Sequence, residues 1–221
     1  ESSAFEGLLA IHVRGRKLEP GERVRIDYET RVDRFAERGE RIWIAVDGDG
    51  DGVRALVVPS PALDVLAGEP ARLVLTLPST ARPGEPIRLT IAVLDAQGNR
   101  GVELEAQVDL EGSSALGLPA NVVFGEDDRG DRSVEGIAGT PGVFRVRAAT
   151  DSGLTAESNP LVVRDGIPRL LWADLHGHSQ LSDGTGTPDD YFAYARDVAA
   201  LDAAALTDHD HWGLRFLDAN P

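Results

Sequence analysis

Hydrophobic residues between position 20 and about position 165 recur at every second position, the spacing of a β-strand with one buried face. Residues 22–30 are an example, since Val24, Ile26 and Tyr28 alternate with charged residues. The same alternation returns in four further runs, at 42–46, 87–93, 104–110 and 144–148. Such strands are typical of antiparallel sheets, in which one face packs on a core and the other faces water.

Turn signals divide these runs at regular intervals, among them Arg-Pro-Gly at 82–84 and Gln-Gly-Asn at 97–99. Short alternating strands with such turns between them predict a mainly β fold built as a β-sandwich. The sequence Ala-Gly-Glu-Pro at 67–70 separates two β segments. We therefore expect a β-rich domain at 1–66 and an immunoglobulin-like sandwich, without its disulfide, at 67–165. The first domain is short enough to be an incomplete sandwich or a sheet that packs onto the second.

The pattern changes after residues 164–168. Residues 169–173 are apolar enough to predict a short buried strand, and residues 202–207 predict a second one. Between them, Thr187 is suited to cap a helix whose first residue is Pro188, with Asp189 and Asp190 at the positive end of the helix dipole. Strand, helix and strand in this order predict one βαβ unit with parallel strands, part of a parallel sheet or barrel.

Composition excludes several functional classes. The 221 residues carry a formal net charge of −15, which argues against a duplex nucleic acid partner because phosphate binding needs clustered Lys and Arg. The absence of cysteine excludes thiolate metal sites and cysteine nucleophiles. No apolar run reaches the roughly 20 residues of a membrane span. The compartment and the oligomeric state stay open, since this composition suits cytoplasmic and exported proteins alike.

Histidine is concentrated near the predicted βαβ unit: four of the five histidines are His176, His178, His209 and His211. A His-x-His pair at the end of a strand directs both imidazoles to the same side. Both histidine clusters follow predicted strands, and α/β barrels place their chemistry at the carboxyl ends of strands. Acidic residues stand beside both clusters, which favours a metal-dependent hydrolase over surface histidines in acidic loops.

Zinc, iron and manganese bind neutral imidazole nitrogens together with carboxylate oxygens. His176 and His178 can hold one ion together, and Asp183 with His209 can reach a second from the adjacent strand. These four residues are the candidate metal ligands. The neighbouring acids are candidates for accepting imidazole N–H groups and so fixing the histidine tautomers: Asp174, Asp208 and Asp210.

Two motifs carry a family resemblance: Asp-Leu-His-Gly-His-Ser-Gln-Leu-Ser-Asp-Gly at 174–184 and Thr-Asp-His-Asp at 207–210. Together they resemble motifs one and two of the polymerase and histidinol phosphatase (PHP) superfamily. The likeness is specific over about residues 170–213, where the chain looks like a branch of uncharacterised PHP-like proteins that carry an N-terminal β region. It implies a distorted (β/α)₇ barrel that holds two to three ions of zinc, manganese or iron and hydrolyses phosphate esters.

The same resemblance implies roles for particular residues. His176 and His178 would bind the first metal, and Asp183 with His209 the third. His211 follows the branch's own Thr-Asp-His-Asp-His-Trp pattern, as a ligand or a substrate contact.

The family also uses a bridging glutamate, further histidines and a late Asp-x-His, which we expect beyond residue 221. Residues 169–221 would then be the start of an incomplete barrel in the N-terminal part of a longer enzyme. By itself this part is expected to bind metal weakly and to turn over little or nothing.

In the complete enzyme, a metal-activated water would attack the phosphorus of a small phosphoester substrate. Two other readings stay open at this point. An amidohydrolase-type enzyme also has His-x-His after its first strand, but it needs a carboxylated lysine on a later strand. A non-catalytic β-sandwich binding module attached to a degenerate barrel is the third possibility.

A weaker signal lies at Asp47, Asp49 and Asp51, which alternate with glycine as in the first half of a calcium-binding loop. The twelfth position of such a loop requires a bidentate glutamate, and here it is Val58. Asp-Gly is also a strong hairpin signal. We therefore predict a plain turn between two strands and do not expect calcium.

Overall fold

The computed structural model describes residues 9–27, 29, 31, 32 and 34–210. The chain divides into two compact units, residues 1–32 and residues 33–221. The described residues of the first unit form no helix or strand, and Val24 and Ile26 are exposed. The strand predicted at 22–30 is therefore not formed at 22–27, since the alternating side chains have no core to pack on; Tyr28 lies outside the described residues.

Two small antiparallel sheets begin the second unit. Strand β1 pairs with β4, and β2 pairs with β3. Their bounds are Glu37–Arg41 for β1, Ala45–Val46 for β2, Ala55–Leu56 for β3 and Ala62–Val65 for β4. The run predicted at 42–46 is a strand only in its last two residues, because Ile42 and Ile44 are exposed between β1 and β2 and lack a core.

Ten strands follow, and they form three sheets in the orders β10-β7-β5, β13-β12-β8-β9 and β11-β14-β6. All pairs are antiparallel except β6 with β14. The bounds are β5 Arg72–Thr76, β6 Thr80–Ala81, β7 Pro86–Leu94, β8 Ala106–Glu111, β9 Asn121–Phe124, β10 Asp131–Ile137, β11 Gly142–Phe144, β12 Arg147–Thr150, β13 Thr155–Glu157 and β14 Leu161–Val163. Two short 3-10 helices, Ser113–Leu116 and Glu126–Asp128, lie on either side of β9.

These sheets share one hydrophobic core. Leu89 and Ile91 of β7 are fully buried in it, and they meet Val108 of β8, Phe124 of β9 and Leu161 of β14. The residues predicted to face inward do so, because each strand turns every second side chain toward the opposite sheet. The prediction of a mainly β chain with a β-sandwich is confirmed, and its immunoglobulin-like character stays a prediction. The domain boundary near 67–70 stays a prediction.

A βαβ unit follows the sandwich. Strands β15, Ala173–Asp174, and β16, Ala203–Ala204, are parallel neighbours, and helix α1, Pro188–Asp197, connects them. The helix begins as predicted: Thr187 Oγ1 accepts a hydrogen bond from Asp190 N at 3.1 Å, and the Asp190 carboxylate accepts one from Thr187 Oγ1 at 2.7 Å. No helix in the described part of the chain is long and apolar enough to cross a membrane.

Both strands of this unit are shorter than the sequence predicts. Leu170, Leu171 and Trp172 precede β15 as exposed, irregular backbone, although the sequence indicates a buried strand at 169–173. In the described residues, the only helix against these two strands is α1, and a pair of two-residue strands has little apolar area to bury. The prediction of burial is therefore wrong for this stretch.

Helix α1 packs on the outer face of the sandwich. Val198, at its end, is buried with Ala92 and Leu94 of β7. Polar contacts surround this packing: Arg88 Nη2 donates to Arg196 O at 2.9 Å, and Tyr194 OH donates to Gly98 O at 3.2 Å. On the other side of the unit, Trp172 Nε1 donates to Ser79 Oγ at 2.8 Å. The sandwich thus supports the segment that carries the histidines.

Candidate metal centre

The two predicted histidine clusters meet at one end of the βαβ unit. Because β15 and β16 are parallel, the segments that leave their carboxyl ends run side by side. The rings of His178 and His209 are 4.6 Å apart between centroids, and those of His176 and His178 are 5.0 Å apart. Residues far apart in sequence therefore form one cluster, as the spacing of the motifs predicts.

Asp183 completes the cluster from the loop between β15 and α1. Its Oδ1 lies 2.7 Å from His178 Nδ1 and 3.8 Å from His209 Nε2. Potential ligand atoms of His178, Asp183 and His209 all lie within 4.8 Å of one another. Three of the four predicted ligands are thus grouped, and the fourth, His176, lies against His178.

The second ring nitrogen of His178 has no partner in the part of the chain that the structure describes. In the neutral imidazole, a hydrogen bond from Nδ1–H to Asp183 leaves Nε2 as the unprotonated nitrogen, and Nε2 is buried without a hydrogen-bond partner among the described residues. A buried polar atom left unsatisfied costs about 1–3 kcal/mol. An imidazole held by a carboxylate through one nitrogen, with the other bare, is the form of histidine that binds metal ions.

The carboxylate of Asp183 is held in its charged form. Partial desolvation acts to raise its pKa, but the hydrogen bond with His178 and electrostatic attraction to His178 and His209 outweigh it. The pKa of Asp183 is therefore lower than usual. At neutral pH this side chain supplies the negative charge that a divalent cation requires.

The donor set and its spacing fit a divalent ion. Two ligands of a tetrahedral zinc ion lie roughly 3.4 Å apart, because each is about 2.1 Å from the metal. The candidate ligand atoms lie within 4.8 Å of one another, so movements on the order of 1 Å bring them to this spacing. Rotation of the exposed Asp183 side chain and the half-buried His209 ring can supply them.

Asp208 anchors the loop that carries Asp183. The sequence predicts that it orients an imidazole, but its described hydrogen bonds go to two serines: Ser179 N at 2.7 Å, Ser179 Oγ at 2.8 Å and Ser182 Oγ at 2.6 Å. Desolvation raises the pKa of Asp208, yet these hydrogen bonds more than offset it and lower the pKa overall. Asp208 thus joins the segment after β16 to the loop after β15.

The other predicted acids differ in position. Asp174 Oδ1 accepts a hydrogen bond from the backbone N of His176 at 3.2 Å, while the ring Nδ1 of His176 lies 3.2 Å from Thr207 Oγ1. Asp210 is exposed next to His209. His211 lies outside the described residues. Asp174 therefore holds the backbone of the His-x-His pair, and the hydroxyl of Thr207 meets the His176 ring.

Gly177, between the two histidines, lies directly under the ring of Tyr191 from α1. A Cβ added there would overlap the ring atoms of Tyr191. Tyr191 OH in turn donates to Ala205 O at 3.2 Å, next to β16. Only glycine allows this approach, so the spacing of the two histidines depends on the position of the helix.

We expect Gly177→Ala to displace either Tyr191 or the backbone of the histidine pair. Overpacking of this kind costs about 1–3 kcal/mol, so the melting temperature should fall and metal affinity should fall with it. Thermal unfolding with and without zinc measures both. Gly139→Ala is the matched control, because a Cβ at Gly139 would meet nothing within 4 Å. Equal melting temperatures for the two variants would contradict the expected overlap.

The acidic loop at Asp47, Asp49 and Asp51 joins β2 to β3, as expected of a turn. Asp47 Oδ1 accepts a hydrogen bond from Gly50 N at 2.6 Å, and Oδ2 accepts one from Gly52 N at 3.1 Å. The bond from Gly50 is the main cause that lowers the pKa of Asp47. The three exposed carboxylates also lie close together, within 4.8 Å. Backbone contacts of the Asp47 side chain explain the turn itself.

Several residues that shape this site carry no recognisable signal of their own in the sequence. Ser179 and Ser182 lie inside the motif, but their partner Asp208 is nearly thirty residues away along the chain. Glu37 contacts the same loop from strand β1. Tyr191 follows the spacing of an ordinary apolar helix face. Only tertiary structure brings these side chains to the histidines.

Comparisons with known proteins give no functional assignment. No family model matches the chain, and no curated protein matches it. The PKD domain of a peptidase from a Thermoplasmatales archaeon is 12% identical and covers 45% of this chain and 99% of that one, with a TM-score of 0.32. A superoxide reductase from Ignicoccus hospitalis is 14% identical, covering 44% and 83%, with a TM-score of 0.32.

A CARDB domain from Pyrococcus furiosus, solved in complex with two metal ions, is 12% identical and covers 46% of this chain and 95% of that one, with a TM-score of 0.27. These identities and TM-scores are too low to assign a family or an activity. The β-sandwich assignment rests on the sheets and core of the chain itself.

Proposed function

We propose that this chain carries part of the metal centre of a PHP-type phosphoesterase. The observation that carries the proposal is the buried Nε2 of His178, which has no hydrogen-bond partner among the described residues and lies beside Asp183 and His209. The reaction class comes from the motif resemblance at 174–184 and 207–210. His178, Asp183 and His209 would hold a divalent ion, with His176 available for a neighbouring one.

The chain's own residues prepare the site in three ways. In the metal-free site, Asp183 holds the His178 ring through Nδ1 and keeps its own negative charge; to join an ion at Nε2, its carboxylate would turn away from Nδ1. Asp208 holds the loop that carries Asp183 through Ser179 and Ser182. When bound, divalent ions would supply a water of lowered pKa and would neutralise charge on a phosphoryl group. A preorganised ligand set reduces the free energy needed to assemble the site on metal binding.

Basic side chains are scarce in the sequence around the first motif. Residues 170–195 contain no Lys or Arg, and the whole chain carries a net charge of −15. An anionic phosphoester therefore finds no Lys or Arg within residues 170–195, which hold three of the four candidate ligands. Substrate binding at this centre is accordingly expected to require metal, and inorganic phosphate should bind measurably only when zinc or manganese is present.

The activity is tested on the natural full-length polypeptide that carries residues 1–221, with a panel of phosphomonoesters and phosphodiesters. We expect phosphate ester hydrolysis that requires zinc or manganese, disappears with a chelator and is lost in His178→Ala. His12→Ala is the control, because it removes a histidine far from this centre along the chain. Hydrolysis of amides but not phosphate esters, or activity unchanged by the chelator, would contradict the proposal.

A further inference from the structure

Glu37 joins a distant strand to the loop of the candidate metal centre. It is the first residue of β1, and its carboxylate Oε2 accepts a hydrogen bond from Gly186 N at 2.7 Å across 149 residues. The Glu37 residue is only 8% exposed, although the rest of β1 is mostly exposed or half-buried. In a strand that is otherwise exposed or half-buried, the side chain of Glu37 is thus buried against the loop between β15 and α1.

Stability of the β1–β4 sheet does not explain a carboxylate in this position. Removing a carboxylate from water is unfavourable unless hydrogen bonds or an opposite charge compensate. No Lys, Arg or His side chain of the described residues lies within 4.0 Å of the Glu37 carboxylate. The described partner is the backbone N–H of Gly186, so the side chain acts on the loop.

Gly186 closes the loop that carries Asp183. Its carbonyl accepts a hydrogen bond from Gln180 N at 2.8 Å, and the residue that follows it, Thr187, caps helix α1. Within the loop, Gly184 N donates to Ser179 O at 3.0 Å. Fixing the Gly186 peptide therefore fixes both the base of the loop and its junction with the helix.

The two ends of this loop are held in the same way. At Ser179, the carboxylate of Asp208 accepts the backbone N–H at 2.7 Å; at Gly186, the carboxylate of Glu37 does so at 2.7 Å. Charge-assisted hydrogen bonds of this kind are short and strong. Asp183 lies between the two anchored peptides, so its distance to His178 depends on both of them.

We propose that Glu37 is a positioning residue that holds the loop 179–186 and thereby keeps Asp183 against His178. The consequence for metal affinity rests on the proposed function, whereas the consequence for the His178–Asp183 contact does not. The β1–β4 sheet accordingly supports the candidate centre.

Three substitutions test this role. Glu37→Ala removes the acceptor, Glu37→Asp keeps the charge on a side chain one methylene shorter, and Glu37→Gln keeps an acceptor at the original length. Asp64→Ala is the matched control, because Asp64 Oδ1 accepts a backbone hydrogen bond from Gly39 at 2.8 Å in the same sheet without contacting the loop. Glu37→Asp also provides the answer should the alanine variant fail to fold.

Two readouts separate the positioning role from the proposed function. The ¹⁵N shifts of the His178 ring, recorded without metal, report the Nδ1 contact with Asp183; zinc titration reports affinity. We expect Glu37→Ala and Glu37→Asp to shift the ring nitrogens and weaken zinc binding by about 10-fold, while Glu37→Gln and Asp64→Ala remain near wild type.

Unchanged His178 shifts in both Glu37→Ala and Glu37→Asp would overturn the positioning role, whatever the zinc titration shows. Altered shifts in the two Glu37 variants, together with a wild-type chain that binds no zinc, would support the positioning role and would contradict the proposed function. A merely stabilising role for Glu37 predicts a lower melting temperature in the alanine variant, with the ring shifts and zinc affinity unchanged, and would also overturn it.

Discussion

Zinc affinity is expected to fall by about 100-fold or more in His178→Ala, because the substitution removes the ligand that the other two converge on. Asp183 lies 2.7 Å from His178 Nδ1, and the His209 ring is 4.6 Å from the His178 ring. Without His178, only Asp183 and His209 remain. The Asp183 carboxylate then loses the imidazole that holds it in place. Isothermal titration of the metal-free protein with zinc measures the change.

The same substitution also acts on the stability of the metal-free protein. His178 Nε2 is buried without a hydrogen-bond partner in the described structure, so removing it eliminates an unsatisfied polar atom. Loss of the hydrogen bond to Asp183 acts against this gain, so the metal-free variant should melt close to the wild-type temperature. His12→Ala serves as the control in both measurements and should leave zinc affinity unchanged. A large loss of metal-free stability in His178→Ala would show that the histidine is structural.

Asp208→Ala is expected to destabilise the metal-free protein by about 3 kcal/mol and to weaken zinc binding as well. The carboxylate accepts three hydrogen bonds, and the fully buried Ser179 would lose the partner of both its N–H and its hydroxyl. Each hydrogen bond to a charged group contributes about 1.5–3 kcal/mol, and the three are not additive because they share one side chain.

Chemical denaturation followed by tryptophan fluorescence reports this loss, since one of the three tryptophans, Trp172, lies in the same βαβ unit. Asp208→Asn keeps one acceptor oxygen and should be intermediate, whereas Asp151→Ala, at an exposed turn, should match wild type. If Asp208→Ala were as stable as Asp151→Ala, the loop would not depend on this carboxylate. The link between β16 and the Asp183 loop would then be wrong.

Local sequence rules predicted the sandwich and the helix start. In β7, alternating residues such as Leu89 and Ile91 are fully buried as expected, because neighbouring strands and a facing sheet enclose them. Thr187 and Pro188 begin α1 as predicted, since capping depends on residues only three positions apart. Signals of this kind lie within a few residues of the structure that they specify.

The same alternation gave wrong strand predictions where no core lies against the chain. Val24 and Ile26, and also Ile42 and Ile44, repeat with the spacing of a half-buried strand but are exposed in irregular backbone. Alternation indicates which face of a strand can be buried. Whether that face is buried depends on the tertiary packing around it. Trp172 shows the same limit: its indole N–H donates a hydrogen bond to Ser79, while the residue is 57% exposed.

The candidate ligands were predictable because the parallel strand pair brings their motifs together. Their supports were not, because contacts across 149 residues from Glu37 and across 29 from Asp208 leave no local pattern. Asp208 illustrates the difference: an acid beside a histidine indicates imidazole orientation, yet its described hydrogen bonds go to Ser179 and Ser182. Site chemistry was therefore visible in the sequence, and the anchoring of the loop was not.

Anomalous diffraction at the zinc absorption edge, from crystals grown with zinc, tests the metal centre most directly. The account predicts a peak about 2.0–2.2 Å from a ring nitrogen of His178, a ring nitrogen of His209 and a carboxylate oxygen of Asp183. The peak should disappear in crystals of His178→Ala. A zinc-saturated crystal without a peak at these three residues, or with zinc bound only elsewhere, would contradict it.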